Sequence, residues 1–353
     1  MSPVDRRCTE MRAAVYHGPG DVRVEELTHP VVGPRDVLLK VLACGVCGSD
    51  LASFADGHYV EPGQVMGHEI AARVWEIGAE LTGLLPGQSV AVRPMRSCGS
   101  CAYCDAGDTH LCGGTAGRSL GYGPRGGFAE FLHLTDVVVG SDLIPVPDDI
   151  DPLDLMWAEP LAVAVHAVSR ALSDTDASWL VVGAGAVGLA VVAAASSLGV
   201  GAITVVEPRA DRREAARSLG ARALEPRTLP EDARFAVLID ASGSSRAVQD
   251  VLPTLLPGGR CVLVGLGSGP VPWPLASKQL LGAFAYRDDD FRQAVELIVR
   301  GQVRLGRYVT DKFALDLVEQ ALIAPGPQAA TVKAALVFKT SNSENPRGND
   351  DQR

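Results

Sequence analysis

Residues Ser178–Glu207 read SWLVVGAGAVGLAVVAAASSLGVGAITVVE. A short β-branched run, SWLVV, meets three glycines in quick succession, Gly183, Gly185 and Gly188. A run of small residues follows, LAVVAAASSLG, and then a second β-branched run, AITVVE. This is strand, tight turn, helix and strand, the repeating unit of a parallel α/β sheet. In that context G-x-G-x-x-G predicts a dinucleotide site. The glycines permit the turn and the approach of a pyrophosphate, and the helix opened by Ala186 and Val187 points its N-terminus at that charge. Glu207 closes the second strand, where a carboxylate would bind ribose hydroxyls and repel the 2′-phosphate of NADP. Arg212 follows closely, with Arg209 and Arg213, and arginines there could instead receive a 2′-phosphate, though on a following helix they are more often solvated surface. NAD is therefore the expected cofactor and NADP the alternative. The plainer reading, a glycine-rich turn in an unrelated α/β protein, lacks a reason for strand, helix and acid to stand in this order.

Working outward, Phe235–Ser242, Arg260–Leu266 and Gln279–Phe284 read as further strands, and Phe291–Arg300 as a helix. Upstream, Leu153–Leu172 has helical apolar spacing, broken or started at Pro160. Asp142–Pro152, rich in proline and aspartate, reads as a surface connection. Before it the rhythm is different. RAAVYH, DVRVEEL, DVLLKVLAC, Ile70–Ile77 and Ser89–Arg93 alternate in strand fashion between Gly-Pro breaks, and Gly121–Leu134 reads as a loop and a strand. Roughly the first 140 residues thus form a β-rich domain.

The chain has 353 residues, 47% of them hydrophobic, which fits two ordinary domains with ample core. A formal net charge of -10 without any Lys/Arg block argues against nucleic acid or an anionic membrane as partner. No apolar run is long enough to span a bilayer, and no apolar stretch follows the charges of MSPVDRRCTE, so a cytoplasmic protein is the default expectation. In such a compartment, eight cysteines with six of them in two short clusters point to metal before disulfide.

Cys98, Cys101, Cys104 and Cys112 have the spacing C-x2-C-x2-C-x7-C. Four thiolates in one glycine-interleaved loop can close around a tetrahedral zinc and leave no room for substrate, so this zinc would be structural. An iron–sulfur site or four free thiols are the other readings. The second cluster, ACGVCGSD at 43–50, combines with Gly67-His68-Glu69 to offer thiolate, imidazole and carboxylate, the donor set of a catalytic zinc with an open position. Adjacent residues on a regular strand face opposite ways, so His68 and Glu69 reach one metal only if the backbone turns at Gly67. Cys44 and Cys47 could also be a redox pair, but no thioredoxin-like context surrounds them. Glu159, in an apolar segment before Pro160, is a carboxylate that needs a partner, and a zinc or its water would be one.

These motifs together, VCGSD, GHE, the four-cysteine lobe, GGFAEF, EPLAVAVHA, GAGAVG and LPGGR–VLVG, resemble the zinc-dependent medium-chain alcohol and polyol dehydrogenases from Met11 to Lys339. The resemblance implies a GroES-like catalytic domain, made from both ends of the chain, and a doubly wound Rossmann domain. The expected division is a disordered leader at 1–10, a catalytic domain at 11–155 carrying the zinc lobe at 98–112, a nucleotide domain at 156–295, a return to the catalytic domain at 296–339 and a disordered tail at 340–353. It also implies nicotinamide held against zinc in a cleft between the domains, a small alcohol or ketone as substrate, and a homodimer or homotetramer. Carried over, Cys47 and His68 are zinc ligands, with Glu69 or Glu159 completing the shell by exchange with water. Cys44 is then a bystander, Asp50 a partner of the zinc site, and Ser49 the hydroxyl that passes the substrate proton. Many relatives have a histidine where this chain has Ala52, so the proton must leave by water past Ser53 or through His58. EPLAVAVHA resembles the polyol, threonine and sorbitol branch, and GSDLASF is similar to the aminocyclitol dehydrogenases of aminoglycoside biosynthesis. Both imply a polyol, cyclitol or sugar-like substrate, with Phe54, Tyr59, Trp157 and Trp273 as candidate pocket walls. A zinc-free reductase on the same fold and a catalytically silent NAD-binding protein are the competing classes.

Overall fold

The computed structural model describes residues 10–115, 117–123, 125–172, 177–265, 267, 270, 278–324 and 332–339. The expected leader and tail therefore lie outside the described residues, except Glu10, which opens the first strand. The chain divides into two units, Met1–Glu159 with Val309–Arg353, and Pro160–Tyr308.

The second unit is built on a six-stranded sheet in which every pairing is parallel. Its spatial order is Arg222–Leu224, Ala202–Val206, Ser178–Val182, Phe235–Asp240, Leu255–Leu263 and Gln279–Gly282. Numbered along the chain, that order is 3-2-1-4-5-6, the doubly wound arrangement with its switch point beside Ser178–Val182. The helix Ala186–Ser197 is apolar on nearly all sides and buries residues 188–195. Small side chains let it lie close to the sheet: a Cβ on Gly188 would stand 2.1 Å from the Gly183 carbonyl oxygen.

The first unit holds a seven-stranded, mostly antiparallel sheet. Val37–Gly45 is its spine, pairing with Glu69–Ile77, with Phe131–Leu134 and with Lys333–Val337 from the far end of the sequence. Every residue of Val37–Gly45 except Lys40 is buried, which explains its nearly unbroken apolar text. A two-stranded ribbon, Glu10–Gly18 with Asp21–Thr28, joins the same core through Ala13, Ala14, Val15 and Tyr16.

The units divide at 159/160 and 308/309, beside the expected 155/156 and 295/296. Trp157 is fully buried beneath Lys333 of the first unit, and the helix Asp288–Val299 buries Phe291, Ala294, Val295 and Ile298 and is followed by buried Val303 and Leu305. These apolar anchors tie each segment to its unit. Two expectations are corrected. The connection after Asp142 contains a strand, Leu143–Pro145, paired with Ser89–Val92. Pro160 neither breaks nor starts the helix Ala158–Ala171; it sits in the first turn, where its missing N–H has no intrahelical partner to lose.

Candidate metal centre and nucleotide loop

Cys47 stands where Val37–Gly45 gives way to the helix Gly48–Asp56 and forms the cap of that helix. Asp50 accepts the Cys47 backbone N–H at 2.8 Å through Oδ2, while its buried Oδ1 lies 3.8 Å from His68 Nδ1. Gly67, at φ 88, supplies the expected turn, and a side chain there would strike the Phe128 ring at 2.4 Å. As a result His68 and Glu69 face the same point, and the donor atoms of Cys47, His68 and Glu69 all lie within 4.8 Å of one another. Cys44 is outside this group, with its thiol buried and pushed well up by loss of water.

Glu69 opens its strand directly opposite Gly45. The absent side chain of Gly45 is the space the carboxylate occupies, since a Cβ would come within 2.0 Å of Glu69 Oε2. Lys333, 264 residues away in sequence, pairs with Glu69 at 2.5 Å and lies 5.6 Å over the Trp157 ring. Burial alone would lower the Lys333 ammonium, but the charges of Glu69 and Cys47 raise it, so it stays protonated.

Glu159 falls outside the close group. It keeps some accessible surface, yet loss of water still pushes its carboxyl up to about 7, against the pull of His68. Burial by itself would lower His68, but Asp50 and Cys47 hold its proton and raise it to about 10. The donor chemistry of Cys47, His68 and a carboxylate fits zinc.

Ser49 is buried, and its Oγ lies 2.7 Å from the Tyr122 hydroxyl. Tyr122 was not singled out from the sequence. Its hydroxyl also lies 3.3 Å from His68 Nε2, and its ring stacks on His68 at 4.8 Å between centroids. Burial pushes the phenol far up, so it acts only as a neutral hydroxyl. The Ser53 hydroxyl is directed to the carbonyls of Ser49 and His58, and His58 itself is exposed beside Tyr59. Trp157 is wholly buried, Phe54 is half-buried, Tyr59 is exposed, and Trp273 lies outside the described residues.

In the cysteine lobe the sulfurs of Cys98, Cys101, Cys104 and Cys112 also lie within 4.8 Å of one another. The backbone N–H groups of Cys98 and Gly114 both donate to Cys112 Sγ at 3.3 Å. Hydrogen bonds from the Ser100 backbone and from the Cys112 and Ser100 side chains hold the Cys98 thiol down to about 6. Against a bond with the Cys104 backbone, neighbouring thiols push Cys101 the other way, up to about 11, so the four share protons unequally. Four sulfurs this close, in a loop that donates N–H groups to one of them, fit a four-thiolate metal.

In the second unit Gly183 follows the first strand, Gly185 caps the helix Ala186–Ser197, and Ala186 and Val187 form its first turn. Glu207, just past Ala202–Val206, is buried and accepts N–H groups from Ala184 at 2.8 Å and from Arg209 at 2.9 Å. Each carboxylate oxygen keeps a further lone pair. Arg209 is paired with Asp211 at 2.6 Å, and Arg213 donates to the carbonyls of Glu207 and Pro208. Arg212 packs toward the loop, its Nη1 3.8 Å from where a Gly185 side chain would begin.

Residues 33–148 match the family described as alcohol dehydrogenase GroES-like domain, and residues 186–300 match zinc-binding dehydrogenase. The chain is 29% identical over 333 residues to sorbitol dehydrogenase of Bacillus subtilis, covering 88% of this chain and 92% of that protein. It is 30% identical over 308 residues to L-threonine 3-dehydrogenase of Streptomyces avermitilis, covering 82% and 88%. Its fold is similar to the crystal structure of 2R,3R-butanediol dehydrogenase of Bacillus subtilis, with a TM-score of 0.81 and 25% identity over 93% of this chain and all of that one. Among the described residues no helix is long and apolar enough to cross a membrane.

Proposed function

Since the chain belongs to the zinc-dependent medium-chain alcohol and polyol dehydrogenases, enzymes that act on CH–OH groups, we propose that it interconverts a secondary alcohol of a polyol, cyclitol or sugar-like substrate and the corresponding ketone. The observation that carries the proposal is the convergence of Cys47, His68 and Glu69 beside the buried hydroxyl of Ser49. Zinc held by Cys47, His68 and Glu69 or Glu159 would polarise the substrate oxygen, and NAD would take the hydride. Ser49 would accept the proton of the reacting hydroxyl while releasing its own to water entering past Ser53. The Asp50 carboxylate, 3.8 Å from His68 Nδ1, acts on that ring by charge, and Lys333 fixes Glu69 and balances its charge. Cys98, Cys101, Cys104 and Cys112 would hold a second zinc that braces their loop.

Gly183, Gly185, Gly188 and the helix N-terminus at Ala186 and Val187 receive the pyrophosphate, and Glu207 receives the ribose. NAD is favoured over NADP because Glu207 is fixed at the loop while Arg209 and Arg213 are engaged within their own turn. The GSDLASF stretch favours a cyclitol, and an aminocyclitol of antibiotic biosynthesis is the narrower form of the reading. The enzyme would work in the cytoplasm as a homodimer or homotetramer, which light scattering checks. The test of function is metal analysis followed by turnover of polyols, cyclitols and amino sugars with each cofactor. Two zincs per chain and NAD-linked oxidation are expected; metal-loaded protein that oxidises none of them sinks the proposal.

A further inference from the structure

We propose that Asp240 is a positioning residue for the cofactor: it fixes the loop at 241–244 as a wall for the nicotinamide half of NAD. The inference rests on the dehydrogenase reading above and adds to it the device that shapes the second half of the nucleotide site. Phe235–Asp240 is the fourth strand of the parallel sheet along the chain, and its last residue, Asp240, pairs with Val182, the last residue of the first. Beyond that pair the two strands run into separate loops, at Gly183 and at Ala241, on either side of the switch point. A dinucleotide lies across such a crevice, one nucleotide over each half of the sheet. Glu207 follows the second strand, so the adenosine ribose belongs to the first half. The nicotinamide half then falls to the strands from Phe235–Asp240 onward, and the loop after Asp240 is the first it meets.

That loop is given room by glycines on both sides. Ser242 Cα and Cβ lie 3.1 Å from where a Gly183 side chain would begin, and the Gly243 nitrogen lies 2.2 Å from where a Gly265 side chain would begin. Gly243 itself turns the chain at φ 65, in the left-handed region. Asp240 then locks the loop from the strand end. Its Oδ1 accepts the Ser242 N–H at 2.9 Å and the Ser242 O–H at 2.6 Å, and the Gly243 N–H also bonds to the carboxylate. Ser242 Oγ carries the constraint onward by accepting the Ser244 N–H at 3.1 Å. Asp240 is 4% exposed, and burial raises its carboxyl above 3.8 against the pull of those donors. Burying an acid is costly, and the bonds that offset the cost go to this one loop. A carboxylate has two accepting oxygens for these donors, whereas an amide has one.

ADP carries the adenosine and the pyrophosphate and ends there, whereas NADH carries both nucleotides. Calorimetric titration of each into metal-loaded protein therefore reads the two halves of the site separately. Asp240→Asn should weaken NADH by roughly tenfold, the scale of a lost hydrogen bond to a charged group, and leave ADP unchanged. KM for NAD should rise in step with the loss of NADH binding. Ser242→Ala removes one bond and keeps the carboxylate, so its loss of NADH should be smaller and just as selective. If Asp240→Asn does not fold, Ser242→Ala decides the matter alone: selective loss of NADH supports the assignment and unchanged NADH overturns it. A folded Asp240→Asn protein that binds NADH like the parent, or one in which ADP and NADH weaken alike, also overturns the role of Asp240 and leaves the dehydrogenase reading standing. A parent protein that binds neither ADP nor NADH overturns both.

Discussion

At the scale of single residues, the site depends on hydroxyls that pass protons without keeping them. Ser49 is buried against Tyr122, and Ala52 stands where a titrating group would help. Removing the relay should therefore slow the chemical step directly. Ser49→Ala is expected to reduce the hydride-transfer rate by roughly 10²-fold, the usual scale of an acid–base group. His58→Ala should do far less, because His58 is exposed and offers Ser53 only its carbonyl. The check is turnover with a carbinol-deuterated substrate: near-normal rates in Ser49→Ala, with the isotope effect expressed, would remove Ser49 from the reaction. The meeting of Cys47, His68 and Glu69 was legible through the resemblance that VCGSD and GHE share with the other motifs; alone, one cysteine and a His-Glu pair are more often structural. Tyr122 was not legible, since its contact with Ser49 spans 73 positions and a tyrosine in a glycine-rich loop has many ordinary explanations. Lys333 left a fainter trace: one cation at the head of the apolar run KAALV, which reads equally well as a solvated strand end.

At the scale of elements, the site is a junction of strand ends. Gly45 closes one strand, Glu69 opens the next, and the pairing between them leaves a hole that the carboxylate fills. Gly45→Ala should push Glu69 off Lys333 without unfolding the sheet. The expected result is zinc loss at the Cys47 site, read by elemental analysis as one metal per chain where the parent has two. Cys101→Ser tests the other element. It opens a loop with little core of its own and should lower the melting temperature, whereas Cys47→Ser should spare it and abolish turnover. If both cysteine variants simply unfold, the division of labour between the two sites is unsupported. The strand–turn–helix at Gly183 was legible because period and turn chemistry agree there. Leu143–Pro145 was missed because three residues ending in proline carry no period. Trp157 and Leu305, near the two unit boundaries, are buried without any break in the pattern of the sequence.

At the scale of the whole molecule, acid should unfold the first unit through a pair remote from the reaction. Burial would raise Asp36, but N–H groups of Gly33 and Asp136 and the His133 ring, 2.9 Å away, outweigh it and hold its carboxyl below the ordinary 3.8. His133 is lowered from 6.5 by burial and by the charge of Arg125, against the pull of Asp36. Both groups bind protons less readily when folded than when unfolded, so stability falls as pH falls. The loss from His133 begins below 6.5 and that from Asp36 below 3.8. Asp36→Asn should be less stable than the parent near neutrality, and the two melting curves should converge as the pH drops below 3.8. A constant difference across the acid range would show that Asp36 acts by shape and not by charge.

The bond between Glu69 and Lys333 has a consequence for how the protein is made. A ribosome delivers Cys47, His68 and Glu69 early and Lys333 only after the whole of Pro160–Tyr308 has emerged. Through that interval the nascent strand Glu69–Ile77 carries a carboxylate whose cation has not been synthesised, opposite a spine that lacks its neighbour Lys333–Val337. Burying that charge unpaired is costly, so the strand end has reason to stay open to water until translation is nearly over. A chain cut short before Lys333 therefore lacks the cation with which Glu69 pairs.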